Sequence, residues 1–174
     1  MSSMFANAFS FKGGNLKWDT SLVSDMSWMF SGASTFNGNL SSWNTGRVTS
    51  MYDMFDGTKS FSGDLSKWNT SRVIKASWMF YGASAFNSNL SRWDVSQVTD
   101  MSLMFFGAYV FNGDLSTWNT GRVTSMSDML DGARTFNGDL SKWNTGRVTD
   151  FCHGCFLVPH RSRAFCQHGI LVKW

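Results

Sequence analysis

The sequence predicts a repeat solenoid, because one 25-residue pattern returns through nearly the whole chain. Tryptophan marks the period, and valine, methionine, phenylalanine, leucine and glycine hold fixed positions in the same phase. A unit of this length cannot enclose a core alone, so each repeat must bury its apolar face against the next. The period is carried by Trp18, Trp43, Trp68, Trp93, Trp118 and Trp143.

Stacked repeats place like residues over like, which predicts interior columns of Trp, Met, Phe, Leu and Val. These columns account for the composition, which is 16% aromatic with 11 methionines. One column of methionines is broken by a small residue, Ala76, and we expect that repeat to be underpacked there unless Ile74 or Trp78 leans in.

One repeat predicts the elements in order. Residues 115–118 and 123–126 place apolar residues three apart around small polar ones, as in short β-prone segments. Residues 126–133 contain helix-starting residues and end at Gly132, which predicts one helical turn. Residues 136–139, Phe-Asn-Gly-Asp, predict a turn. Each repeat should therefore run strand, corner, short strand, helical turn and turn.

The repeat W-N/D-x-S/G-x-V-T-x-M-S-x-M-F-x-G-A-x-x-F-N-G-D-L-S resembles that of the BspA-like leucine-rich-repeat surface proteins, also described as a domain of unknown function common in mycoplasma lipoproteins. The resemblance covers residues 1–150. It implies a leucine-rich-repeat-like solenoid and an adhesion-type role at the cell surface or in secreted form. It carries over no catalytic residue, because the motif is one of packing.

Three segments follow from the pattern: a partial first repeat at 1–17, regular repeats at 18–150 and an aberrant tail at 151–174. Met1 falls where the repeat itself places methionine, which is compatible with an internal start. The chain shows neither a signal peptide nor an apolar run long enough to cross a bilayer.

Two columns of Asn and Asp are expected to accept hydrogen bonds from backbone N–H groups at corners, with a calcium ladder as the alternative. One column follows the tryptophans and the other precedes the leucines. The members are Asp19, Asn44, Asn69, Asp94, Asn119 and Asn144, and Asn39, Asp64, Asn89, Asp114 and Asp139.

A third column is cationic and is interrupted by Leu22 and Gln97. It is most simply a solvated face, but it is also a candidate site for an anionic polymer such as a glycan or nucleic acid. Residues 1–150 carry twelve Lys and Arg against twelve Asp, so their balanced charge argues against nucleic acid. The column is Arg47, Arg72, Arg122 and Arg147.

The tail contains every cysteine and histidine and allows three interpretations. Cys152, Cys155, Cys166 and His168 have spacings that can close a zinc site. A divergent cap is the second interpretation. The third, which we favour, is a seventh repeat read out of frame, since regrouped codons permit SWMFSGASSF and then LSTWNTG. The nucleotide sequence decides this: His168 and Gly169 must give TGG across their junction.

The sequence favours a non-enzymatic, adhesion-type interaction protein with a protein or glycan partner and no cofactor. Residues 1–150 contain no His, Cys or Glu, and their carboxylates recur in every repeat instead of gathering at one place. Binding of an anionic polymer through the arginine column and a zinc-binding tail are the alternatives.

Overall fold

The computed structural model describes residues 1–150, 163–166 and 170–173. Within these ranges the chain forms two strands, β1 at Arg163–Cys166 and β2 at Ile170–Lys173. They pair antiparallel, with Arg163 opposite Lys173 and Cys166 opposite Ile170. Residues 1–150 are built from turns and isolated parallel bridges.

The predicted fold class, a leucine-rich-repeat-like solenoid of short parallel strands and one helical turn per repeat, is therefore wrong. The described residues contain no helix, and residues 1–150 contain no strand. Where short strands were expected, each repeat contributes a single bridging residue, as in the parallel pairs Lys75–Asp100 and Asp100–Ser125. The chain is mostly irregular and made of turns.

The reason is visible in residues 101–108, which with their equivalents every 25 residues we call the methionine turn. Every second N–H group leaves its own repeat: Leu103 donates to the carbonyl of Ser127 at 2.8 Å and Phe105 to that of Met129 at 2.8 Å. The N–H groups between them bond three residues back, as Met104 does to Met101 at 3.2 Å. In an α-helix each N–H group bonds the carbonyl four residues back. Because alternate N–H groups here bond the next repeat instead, no helix forms.

The methionine turns place neighbouring repeats in register and bury the predicted columns. The phenylalanines of successive turns stack with ring centroids 5.5–5.6 Å apart, as between Phe55 and Phe80. Trp43, Trp68, Trp93, Trp118 and Trp143 are buried, which confirms the interior tryptophan column for these members, while Trp18 is partly buried. Side-chain packing between repeats, rather than regular secondary structure, forms the core.

The buried indoles also hydrogen-bond across repeats. The Nε1–H of Trp93 donates to the carbonyl of Leu65 at 3.0 Å, and that of Trp118 to the carbonyl of Leu90 at 3.0 Å. A buried indole N–H group without an acceptor would cost free energy. The leucine carbonyls of the preceding repeats provide that acceptor.

Ala76 borders a small apolar cavity of ≈ 10 Å³, lined also by Met51, Met79, Val95 and Met101 among others. Ile74 does not fill it, because its side chain is 45% exposed. The expectation of an underpacked repeat at Ala76 is confirmed.

The interpretations of the tail fall largely outside the described residues. Cys152, Cys155 and His168 are not among them, and Cys166 is described only as the last residue of β1. The zinc site, the cap and the out-of-frame repeat therefore stay predictions. No helix capable of spanning a bilayer occurs in the part of the chain that the structure describes.

Candidate functional site

The methionine turn projects two side chains outward in each repeat, at its third and sixth positions. From residue 26 onward its first, fourth and fifth positions are buried in the core. The third position has a positive φ in every repeat, between 51° and 62°, although none of its residues is glycine. We call the outward side chains the outer turn face. Its members are Trp28, Asp53, Trp78, Leu103 and Asp128, and Ser31, Asp56, Tyr81, Phe106 and Asp131.

Aromatic rings form the centre of the outer turn face. Trp78 and Tyr81 lie 4.8 Å apart between ring centroids, and Tyr81 stacks on Phe106 at 4.8 Å with planes only 6° apart. Inter-repeat hydrogen bonds hold these positions level: Gly57 N–H donates to the carbonyl of Tyr81, and Gly82 N–H to that of Phe106. The result is a half-buried apolar cluster that stays partly open to solvent.

A second aromatic pair lies at the amino-terminal side of the face. Trp28, which is 43% exposed, meets Tyr52 edge to face at 5.1 Å. Burial raises the pKa of Tyr52, and the carboxylates of Asp53, Asp100 and Asp56 raise it further.

Between the two aromatic groups lie Asp53 and Asp56. Burial, and then the nearby charge of Asp53, raises the pKa of Asp56 to about 6. Burial also raises the pKa of Asp53, against the lowering effect of a hydrogen bond from Ser31. The Oδ1 atom of Asp53 is buried and makes no hydrogen bond. This pair therefore holds negative charge at a cost in free energy.

Backbone strain accompanies these side chains. Trp78 has a φ of 62° and Leu103 a φ of 56°, in the left-handed region that bulky residues rarely occupy. The bonds to the next repeat, such as that from Trp78 N–H to the Ser102 carbonyl at 3.0 Å, impose this conformation. Apolar residues are thus held outward at a position where Asp or Ser stands in other repeats.

The arginine column lies on a different part of the repeat. Its members are all exposed, and the N–H of Thr124 bonds the carbonyl of Thr99 close by, which keeps successive repeats in register. Arg122 donates through Nη1 to Oε1 of Gln97 at 2.6 Å. The structure thus places these cations in a column, but it does not bring them to the outer turn face.

The corner columns behave as expected. In the column that follows the tryptophans, each Oδ1 accepts a hydrogen bond from the N–H two residues ahead at 2.9–3.2 Å. The column before the leucines does the same at 2.9–3.0 Å. A hydrogen bond from Ser21 keeps the pKa of Asp19 low, and one from Ser66 does so for Asp64.

Among the described residues no His, Cys, Asp or Glu cluster could hold a metal ion.

Sequence reasoning missed Trp78, Tyr81 and Phe106. A signal was present: at the third and sixth positions of the methionine turn the residue type varies from repeat to repeat, whereas the core positions keep theirs. Large aromatic residues at variable, outward positions are typical of recognition surfaces.

Comparison with known proteins places the repeat in a family. Residues 1–105 and 85–156 match the family described as "Mycoplasma protein of unknown function, DUF285". The chain belongs to this DUF285 family. This supports the coarser part of the resemblance drawn from the sequence, namely the mycoplasma domain of unknown function, and does not extend to BspA-like leucine-rich-repeat proteins. No curated protein and no solved structure matches the chain.

Proposed function

We propose that the chain is a non-enzymatic, adhesion-type interaction protein of the cell surface, and that it binds a protein or glycan partner through the outer turn face. One observation carries the proposal: Trp78, Tyr81 and Phe106 form a contiguous cluster of rings outside the core. Apolar patches that are at least partly open to solvent mark interaction sites, and aromatic residues dominate the binding energy of such sites.

The likeness of the repeat to BspA-like surface proteins supports the proposed location. The distribution of carboxylates supports the absence of catalysis. Most described Asp side chains cap turns, and the pair Asp53 and Asp56 lies on a face with no imidazole base among its members.

The test uses panels of immobilised glycans and extracellular proteins. We expect the protein to bind at least one ligand, and Trp78→Asn with Phe106→Ser to weaken that binding about tenfold or more. Both substitutions introduce residue types compatible with these positions, since Asp53 and Ser31 are their equivalents. Ile74→Thr is the matched control, because it removes an exposed apolar residue elsewhere and Thr holds that position in other repeats.

A second candidate is an anionic polymer bound by the arginine column, favoured by the exposure of all four side chains. Replacement of Arg47, Arg72, Arg122 and Arg147 by Gln should then abolish binding, and binding should fall steeply with salt. Unchanged binding by the Trp78 and Phe106 variant would overturn the first proposal in favour of this one.

A further inference from the structure

We infer that the partner segment seated on the outer turn face is basic, with an arginine or lysine side chain lying against Trp78 and Tyr81 and reaching the carboxylates of Asp53 and Asp56. This inference rests on the proposed function and adds the chemistry of the partner. It follows from three properties of the face: its rings, its charge and its unpaired acceptor.

The rings supply the first reason. A guanidinium or ammonium group is attracted to the face of Trp or Tyr within about 6 Å of the ring centroid. The chain already contains one such contact outside the cluster, where the guanidinium of Arg134 lies 4.8 Å from the centroid of Tyr109. Trp78 and Tyr81 offer the same chemistry beside two carboxylates.

The charge supplies the second reason. Burial raises the pKa of both Asp53 and Asp56, the charge of Asp53 raises that of Asp56 further, and no Lys or Arg is among the groups that shift the pKa of either. Asp25, by contrast, is influenced by Lys75 and by the amino terminus. A cation bound beside Asp53 and Asp56 would relieve an existing repulsion, which makes its binding more favourable than at an isolated carboxylate.

The unpaired acceptor supplies the third reason. Oδ1 of Asp53 is buried without a hydrogen-bond donor, and such an atom costs free energy until a donor reaches it. The guanidinium group presents several N–H donors in a planar fork and also stacks on aromatic rings. It can therefore cover Trp78 while it donates to Asp56, and it reaches the enclosed Oδ1 atom of Asp53 when that side chain rotates toward the surface. Asp131, held next to Phe106 by the bond from Gly107 N–H, adds negative charge at the other side of the rings.

Other partner classes fit less well. An anionic segment would meet like charge, and a neutral sugar would stack on the rings without supplying a cation to Asp56. A basic peptide segment can contact the aromatic rings and pair with the carboxylates of the same face.

Isothermal titration calorimetry with a synthetic twelve-residue peptide of alternating arginine and serine provides the test. The control peptide carries citrulline in place of arginine, which keeps the shape and removes the charge. We expect the arginine peptide to bind the full chain about tenfold or more tightly than the citrulline peptide, with an affinity that falls as salt is raised.

Asp53→Asn with Asp56→Asn should reduce binding of the arginine peptide about tenfold. The matched control is Asp19→Asn with Asp64→Asn, which removes the same charge at corners where Asn stands in other repeats, and it should leave binding within about twofold. Thermal melts of both variants exclude unfolding as the cause of a loss.

Equal binding of the two peptides, or equal effects of the two double substitutions, would overturn the inference. If a neutral protein or glycan binds in a Trp78-dependent manner while the arginine peptide does not, the inference fails and the proposed function stands. If no ligand depends on Trp78 and Phe106, the proposed function itself fails.

Discussion

Ala76→Met should be neutral or stabilising. Ala76 stands in a column that holds Met26, Met51, Met101 and Met126 in other repeats, all of them buried. One turn hydrogen bond is shared with them, since Met79 N–H bonds the carbonyl of Ala76 at 3.4 Å as Met54 N–H bonds that of Met51 at 3.3 Å. A methionine at this position therefore enters a turn that accommodates methionine in other repeats.

The gain in unfolding free energy from Ala76→Met lies between two bounds. The cavity beside Ala76 measures ≈ 10 Å³, and at about 24 cal/mol per Å³ filling it is worth only ~0.2 kcal/mol. The added thioether arm, at ~0.8 kcal/mol per buried methylene-sized group, sets an upper bound of ~2 kcal/mol if the neighbours move back fully. The cavity is much smaller than a methionine side chain, so some of that gain is lost in moving Val95 and Met101 outward.

Denaturant unfolding measures this difference. Ala83→Met is the matched control: Ala83 is fully buried, and its column contains only Ala and Thr in the other repeats. That substitution overpacks the core and should cost ~1–3 kcal/mol. A loss above ~1 kcal/mol for Ala76→Met would refute the reasoning and show that the space is already filled, as would equal effects of the two substitutions.

Three further predictions concern stability. Because the folded protein raises the pKa of Asp56 to about 6, it binds that proton more tightly than the unfolded chain does, so this carboxyl lowers the unfolding free energy as pH rises from about 4 to about 6. Urea titrations at several pH values should show the unfolding free energy of Asp56→Asn rising above that of the parent protein over this range. The difference should level off at ~1 kcal/mol, a value already reduced for solvent screening at this half-buried side chain. A difference that does not change with pH would contradict the raised pKa. Trp93→Phe removes the donor to the buried Leu65 carbonyl and should cost ~2 kcal/mol in denaturant unfolding, and a loss near zero would mean that water replaces the indole. Gly107 has a φ of 64°, and an added Cβ would make an ordinary van der Waals contact with Gly82 at 3.7 Å, so Gly107→Ala should cost ~1 kcal/mol from conformation alone. Gly132→Ala, where the nearest atom is at 3.2 Å, should lower the melting temperature further.

The sequence predicted the side-chain columns because they depend only on the period. Any stacking of 25-residue units superimposes Trp68 on Trp93, whatever path the backbone follows between them. The corner hydrogen bonds were predictable for a similar reason, since an Asn or Asp side chain reaches an N–H two residues ahead within one local segment.

The backbone was not predictable from the same pattern. Apolar residues three and four apart, such as Met101, Met104 and Phe105, fit a helical turn and also fit a turn whose alternate N–H groups bond the next repeat. Only the second arrangement needs positive φ at Leu103 and its equivalents, and nothing in the propensity of leucine or tryptophan indicates that conformation.

The outer turn face was not predicted because the repeat was identified from positions whose residue type is constant, whereas the residue type at the third and sixth positions of the turn varies. Phe106 and Tyr81 occupy the same position as Ser31 and Asp56, so no periodic signal marks them. Their contact across repeats becomes visible only when the turn places equivalent positions side by side.

The alternate hydrogen bonds of the methionine turns all point the same way. In each of them the N–H of one repeat faces the carbonyl of the following repeat, as from Phe80 to Met104. Aligned peptide dipoles add, so this strip of the molecule carries a field along the stack, with its negative end toward the first repeat. Cations are favoured at that end, where the ammonium group of Met1 donates to the carbonyl of Asp25 at 2.9 Å. Anions are favoured at the opposite end.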